Sequence, residues 1–190
     1  MMTIIPFRFG CVYSNPTDVK TFISENENAL SEALIRLKDR SEFGVRIGCD
    51  VSILKAQMEK KDVDFDNSLN GISEGVASFL KSEISKDANS SDALVANISA
   101  RIHGELQKCA SEAVRSDAPV DLTAENEVSI LNATYLVPIS GELQFKMQTT
   151  KIATEFEAFG IQIEVSGPWP PYHFIDIDLN GNVAMEGILV

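Results

Sequence analysis

Three groups of residues in this chain could do chemistry: a cluster of carboxylates, two histidines with three cysteines, and several glycines. The stretch DVDFDNSLNGIS places Asp62, Asp64 and Asp66 at the first three ligand positions of an EF-hand calcium loop. The sixth position of such a loop needs Gly and the twelfth a bidentate Glu; here they are Asn67 and Ser73. The pattern therefore predicts a solvated acidic loop and no metal. His103 and His173 are the only histidines. His103 stands six residues before Cys109, which is not one face of a helix, and neither histidine has a nucleophile motif beside it. A Cys–His pair assembled by the fold stays open, but structural roles are the expectation. Gly44 and Gly48 sit inside an alternating pattern. Gly71 to Gly75 lack the Lys-Ser/Thr ending and the preceding strand of a phosphate loop, so Gly75 and Phe79 read as the start and anchor of a helix. The residues predict neither an enzyme nor a cofactor.

The remaining candidate is SGPWPPYHF, which holds the only tryptophan of the chain and three of its seven prolines. Proline fixes φ and removes a donor, so Pro168, Pro170 and Pro171 exclude helix and central-strand pairing. The segment must be a rigid extended crossing that holds Trp169 and Tyr172 in defined directions at low entropic cost. Two readings follow. Trp169 is a structural plug over one end of a sheet, with its indole N–H on a carbonyl, or it belongs to a presented recognition ridge. Large aromatics mostly serve burial. The expectation is therefore a clamp: Trp169 packed on the sheet or on a neighbouring helix, with Tyr172 nearer solvent and Phe174 following.

Periodicity supplies the elements that must position these residues. Thr3 to Tyr13 reads as a leading extended segment, with Pro6 restricting it to an edge or irregular strand. Asn15 and Pro16 suit a helix cap and first turn, and Val19, Phe22, Ile23, Leu30, Ala33, Leu34 and Leu37 predict an amphipathic helix over 16–38. Phe43, Val45, Ile47, Cys49 and Val51 alternate with Glu42, Gly44, Arg46, Gly48 and Asp50, a half-buried strand with a polar face. Arg46, like Arg8 further upstream, is then either on a solvent face or paired with a carboxylate such as Asp50. A loop over the acidic stretch precedes a helix over 73–85 and a break at KDANSSD. A longer helix over 92–114 carries Leu94, Ile98, Ile102, Leu106, Cys109 and Ala113 on one stripe. Residues 127–138 are nearly continuous β-formers, which predicts a central strand covered on both faces. Ser140 can cap a helix with Phe145, Thr149, Ile152, Ala153 and Phe156 on its stripe, and Gly160 ends it. A strand over 161–165 completes a crossover in one sheet, and Asn180-Gly181 signals a hairpin in the tail.

The sum is an α+β fold, a ferredoxin-like sandwich of an antiparallel or mixed sheet with helices on one face, plus a partial N-terminal unit of the same kind. The expected boundaries are 1–60 for the partial unit, 61–90 for a linker and short helix, and 91–190 for the C-terminal unit with its tail. The chain has 190 residues and a net charge of −12. Such a surface repels phosphate backbones and anionic lipid, which argues against nucleic acid and membrane partners and leaves a basic or neutral protein partner allowed. Cys11, Cys49 and Cys109 are odd in number and form no CxxC, as suits a reducing cytoplasm. The N-terminus lacks the basic-then-apolar order of a signal peptide, and no apolar run reaches the ~18 residues that span a bilayer.

Four blocks carry a family resemblance. SGPWPPYHF closely resembles the C-terminal signature of the gas vesicle protein L/F family. IIPFRFGCVY, with Arg8 and Phe9, resembles its LPFRFGTV-type block. RSEFGVRIGCD, with Arg46, resembles its EWGVKV-type strand, with Phe43 where Trp is usual. ILNATYLVP, with Asn132 and Tyr135, resembles its LNAAYLVP-type strand, and SEGVASFLK is a weaker match to a helix start. The blocks run in family order from Ile4 to Phe174. The resemblance implies a non-enzymatic accessory protein of gas vesicle formation, without catalytic residues or cofactors. It implies contact with the small hydrophobic shell protein and other vesicle proteins, in the cytoplasm or at the gas-facing side of the shell. Its interaction and structural signature falls on Arg8, Phe9, Arg46, Asn132, Tyr135, Pro168, Trp169, Pro170, Pro171, Tyr172 and Phe174. The family usually has a further strand–helix–strand stretch before the PFRFG block. Without it, the strand over 43–51 is expected to expose an edge, and a homodimer or a complex with a full-length relative is expected to cover that edge. The rival reading is a small-molecule-sensing regulatory domain on the same scaffold, since fold alone does not fix function. A sensor should show a polar pocket at a sheet edge or a dimer seam, and an assembly factor an apolar patch without one.

Overall fold

Asn15 opens the first helix as its chemistry dictates. Its backbone is extended and its side-chain oxygen accepts from the N–H groups of Thr17 and Asp18, with Pro16 in the first turn of α1 (Pro16–Glu25). The single helix expected over 16–38 is two, α1 and α2 (Glu27–Arg36), because Asn26 interrupts it. The Asn26 backbone leaves the helical region, with φ of −111° and ψ of 16°, and its side-chain amide donates to the Phe22 carbonyl beside the usual backbone bond, a local alternative to helix pairing that asparagine favours. The computed structural model describes residues 3–6, 12–60, 62–85, 91–116 and 127–175. Of the leading segment, residues 3–6 and 12–13 form no strand. The rest of that segment, most of the KDANSSD break and the Asn180-Gly181 hairpin lie outside the described residues.

The alternating stretch forms β1 (Arg40–Asp50), and Asp50 then caps α3 (Val51–Met58) by accepting from the N–H groups of Ser52 and Ile53. Hydrogen bonds from the Ser52 hydroxyl and then the Ile53 N–H hold the Asp50 carboxyl below its ordinary range. The acidic stretch expected as a loop is helical in part, as α4 (Asp62–Ser68). Phe65 and Leu69, four residues apart, are both buried, and Phe65 meets Phe159 edge-on at 6.1 Å. That apolar pair outweighs a composition that favours turns. Next come α5 (Glu74–Ser85) and α6 (Ser91–Gln107). The expected helix to Val114 stops at Gln107, and Glu112–Arg115 form β2 instead. The Ser111 N–H donates to the Leu136 carbonyl at 2.7 Å and starts that ladder. The free edge of β3 (Glu127–Pro138) thus captures residues whose composition also suits a helix.

After β3 a 3-10 turn, Ile139–Gly141, leads into α7 (Glu142–Phe156). Ser140 does not cap it: Gly141 holds that position without a side-chain hydrogen bond. The last strand is β4 (Ile161–Trp169). The sheet order is β2-β3-β1-β4 with every neighbouring pair antiparallel. Helices lie between β1 and β2 and between β3 and β4, the β-α-β-β-α-β arrangement of ferredoxin-like folds. The α+β expectation holds, but β1 is not the exposed edge of a partial unit. It is an inner strand, paired with β3 on one side and β4 on the other. Its alternating sequence specified two faces and could not specify which strands flank it. The expected boundaries at 60 and 91 lie in the helical connection between β1 and β2.

One face carries the core. Phe43, Val45, Ile47 and Cys49 of β1 and Leu131, Ala133, Tyr135 and Val137 of β3 meet apolar residues of α3 to α7. Phe145 of α7 stacks between Phe43 at 5.3 Å and Tyr135 at 5.4 Å. On the opposite face, the buried cluster among the described residues lies at one end, where Leu136 packs with Leu37 and Phe174.

Gly160 closes the α7-to-β4 connection with φ of 76°, and its carbonyl accepts from the Asp50 N–H at 2.8 Å. A Cβ there would sit 2.8 Å from the Asp50 carbonyl oxygen. Gly160→Ala is expected to destabilise the fold by about 2 kcal/mol or more, from left-handed strain plus the clash. Chemical denaturation of the purified variant checks it, and an unchanged midpoint would contradict the packing described.

Candidate interaction site

Prolines are tolerated at the end of β4 because it is an edge strand. The strand does not stop at Val165 as expected but continues to Trp169. Ser166 pairs with Gly44 and Trp169 with Glu42, and a bulge holds the two intervening residues, Gly167 and Pro168, joined by a cis peptide bond. Gly167 has φ of 114°, and a Cβ on it would lie 2.7 Å from the Glu42 carbonyl oxygen. Only glycine lets the chain approach β1 so closely. A 3-10 turn, Tyr172–Phe174, follows.

The cluster is held from below by residues other than its tryptophan. Pro171 is buried, and Phe174, 2% exposed, sits against Leu37 and Leu136. The Arg36 guanidinium donates to the Phe174 carbonyl and pairs with Glu112 at 2.7 Å. The Glu42 side chain, only 4% exposed, accepts from the His173 N–H at 2.9 Å and from its Nδ1 at 2.7 Å. Trp169 and Tyr172 are by contrast 52% and 49% exposed. The expected clamp is therefore corrected: Trp169 is not a buried plug. The aromatic centre of the sheet is already filled by Phe43, Tyr135 and Phe145, and Phe174 takes the anchoring role.

The other candidates divide. Arg46 is exposed on the sheet face away from the core, opposite Asn132 on β3 and Glu164 on β4, while Asp50 is occupied in capping α3. Arg46, Asn132, Glu164, Ser166, Trp169 and His173 are among the residues lining an open, polar hollow of about 760 Å³. Tyr135 belongs to the opposite face. It is fully buried, and its hydroxyl meets His103 Nδ1 at 2.7 Å. Burial raises its pKa. Arg8 and Phe9 lie outside the described residues. Pro168, Pro170 and Pro171 line a second cleft of about 140 Å³ with Ile4, Ile139 and Trp169. From Ile139 an exposed apolar row continues to Leu143 and Met147 along the outside of α7. The molecule thus shows the apolar patch expected of an assembly factor and the polar hollow expected of a sensor.

Burial, then the Asp50 charge, pushes the Cys49 thiol up to about 11, which disfavours the nucleophilic thiolate. His103 Nδ1 meets the Tyr135 hydroxyl and His173 Nδ1 meets the Glu42 carboxylate. Among the described residues no group of three His, Cys, Asp or Glu side chains could hold a metal, and no helix is long and apolar enough to cross a membrane. Reasoning from the sequence missed Glu42, which resembled one more solvent-facing residue of a polar strand face. It noticed His173 but could not supply its partner, 131 residues away.

Comparison with known proteins places this geometry. The profile of the family described as "Gas vesicle synthesis protein GvpL/GvpF" matches residues 1–176. Gas vesicle protein L of Streptomyces sp. (strain CB03234) is 28% identical over 177 residues, 91% of this chain and 62% of that protein. The chain thus spans less than two thirds of this curated relative. The crystal structure of GvpF from Anabaena sp. PCC7120 superposes with a TM-score of 0.63 at 25% identity, over 93% of this chain and 68% of that one. GvpF from Microcystis aeruginosa gives 0.59 at 20% identity, over 90% and 69%, and supports the fold.

Two outcomes follow from the burial and the titrating groups. Phe174→Ala should cost about 3–5 kcal/mol, whereas Trp169→Ala should cost about 1 kcal/mol or less; paired denaturation curves check the order. His103 is held below its ordinary value of 6.5 by burial and then by the Arg115 charge. The folded state then binds fewer protons than the unfolded chain between that lowered value and 6.5. The contribution of this site to stability is full above that window and is lost as pH falls through it. His103→Gln should flatten this part of the stability profile, as melting temperatures across the window would show.

Proposed function

The chain belongs to the gas vesicle synthesis protein GvpL/GvpF family, and from that membership we propose a non-enzymatic accessory protein that acts in gas vesicle formation by binding other vesicle proteins, foremost the small hydrophobic shell protein. The observation that carries this reading is the ridge at the end of β4. Trp169 and Tyr172 are half-exposed on a proline-stiffened segment whose own anchors, Pro171 and Phe174, are buried. Exposed aromatics on a rigid support offer large contact area at low entropic cost and are the usual hot spots of interfaces.

The sheet edges support side-chain contact rather than strand addition. β2 has four residues, and β4 ends in a bulge and prolines. Short, bulged and proline-bearing edges resist pairing with another chain. The earlier motive for a homodimer, an open edge on β1, is gone. A complex with a longer relative or a second copy would instead have to use the ridge or the apolar row on α7. Action in the cytoplasm, up to the gas-facing side of a growing shell, fits this reading. A net charge of −12 favours a basic or neutral partner surface.

A binding measurement with purified shell protein tests the proposal. Trp169→Ala is expected to lose about thirtyfold in affinity, the ~2 kcal/mol of a hot spot, with its melting temperature nearly kept. Undiminished binding by a Trp169→Ala/Tyr172→Ala double variant would overturn it. The polar hollow favours the second reading, a small-molecule sensor. That reading predicts a ligand-dependent rise in melting temperature that Arg46→Ala abolishes.

A further inference from the structure

We propose that Glu42 and His173 form a latch that sets the orientation of the Trp169–Tyr172 ridge, with Glu42 as the positioning residue. The Glu42 carboxylate is buried, and a buried charge costs several kcal/mol unless hydrogen bonds and charge compensate it. Both of the hydrogen bonds it makes among the described residues come from His173: the backbone N–H on Oε2 and ring Nδ1 on Oε1. The contact joins β1 to the turn just beyond the prolines, and no other ion pair among the described residues reaches that turn's side chains. Phe174 already anchors the segment by apolar burial. Apolar packing is non-directional and fixes depth, whereas a carboxylate held at both oxygens fixes angle. A backbone donor and a ring donor on the same residue define the rotation of the 172–174 turn about the chain, and with it where Tyr172 and the neighbouring Trp169 point.

The latch is built to open locally. The His173 side chain is 59% exposed, and both latch residues line the polar hollow together with Trp169. When the bonds break, water entering the hollow can reach Glu42, so the cost of an unpaired carboxylate is not passed to the whole fold. Release should therefore disorder the ridge without unfolding the sheet.

For its binding arm the inference rests on the function proposed above; its spectroscopic arm stands apart from it. Trp169 is the only tryptophan of the chain, so intrinsic fluorescence reads the ridge directly. Glu42→Ala should raise acrylamide quenching and lower the anisotropy of Trp169 most, and His173→Ala should do so less, since its backbone N–H remains. His173→Asn, whose side-chain amide nitrogen stands where Nδ1 stood, should restore wild-type values, a rescue that a purely packing role would not give. Melting temperatures should stay near wild type. In the binding arm Glu42→Ala, which removes both hydrogen bonds to His173, should weaken shell-protein affinity about tenfold or more. Unchanged Trp169 anisotropy and quenching in Glu42→Ala and His173→Ala would overturn the latch. A released ridge that leaves shell-protein binding intact would uphold the latch and count against the proposed function alone.

Discussion

The ladder of β1 on both of its edges constrains the rest of this structure. Eleven residues, Arg40 to Asp50, pair with β3 along their whole length and with β4 over most of it. Buried backbone groups must be hydrogen-bonded, so an inner strand brings both neighbours into register or carries unpaired donors into the core. That requirement draws β3 and β4 together from beyond residue 127, although β1 closes by residue 50. It also explains the bends in the partners. β3 takes a register shift opposite Ile47 and Gly48, and β4 bulges between Ser166 and Trp169. The signature cluster owes its place to this ladder: Trp169 is set by its pairing with Glu42, and the Glu42 side chain goes on to hold His173.

Periodicity made most of the elements legible and little of their pairing. The alternation of Phe43 to Val51, the β-formers of 127–138 and the stripe of Phe145 to Phe156 each found the expected element, because burial of one face imposes period 2 or 3.6 on the sequence. Where competing energies were close, the reading failed. Glu112–Arg115 continue the composition of α6 and become a strand only because β3 offers an edge. Asp62–Ser68 look like a loop and become a helix because Phe65 and Leu69 find the core. The site was half legible. Arg46, Asn132 and Trp169 do share one hollow, whereas Tyr135 is a core residue and the anchoring fell to Phe174. A single sequence shows that a proline cluster is stiff, and it does not show which of its aromatics the fold has room to bury.

The cluster uses three kinds of restraint, and they divide the work. Pro168, Pro170 and Pro171 limit the backbone, which lowers the entropy lost when a ridge is ordered. Phe174 contributes burial between Leu37 and Leu136, yet apolar packing is non-directional and leaves rotation free. Polar contacts remove that freedom: Arg36 on the Phe174 carbonyl, and Glu42 on His173. Such an arrangement is expensive, because it desolvates a carboxylate. It is reasonable only where direction matters, and under the proposed function the indole is where direction would matter.

Trp169 borders two concave regions of the described surface, the polar hollow on the sheet face away from the core and the apolar cleft that leads toward Ile139. An indole suits that position because its ring is apolar and its N–H is not. The two regions are consequently not independent. A partner segment that fills the cleft presses on the same ring that walls the hollow, and a group that enters the hollow touches the His173 and Glu42 side chains that fix the ring's support. The apolar row from Ile139 through Leu143 to Met147 extends the cleft along α7, so a partner long enough to follow it would bury apolar area on one side of Trp169 while leaving the other side wet. Under the proposed function, affinity in such an interface would come from the cleft and the row, through area removed from water, and discrimination from the hollow, where a mismatched polar group would strand Arg46, Asn132 or Glu164 without water or partner.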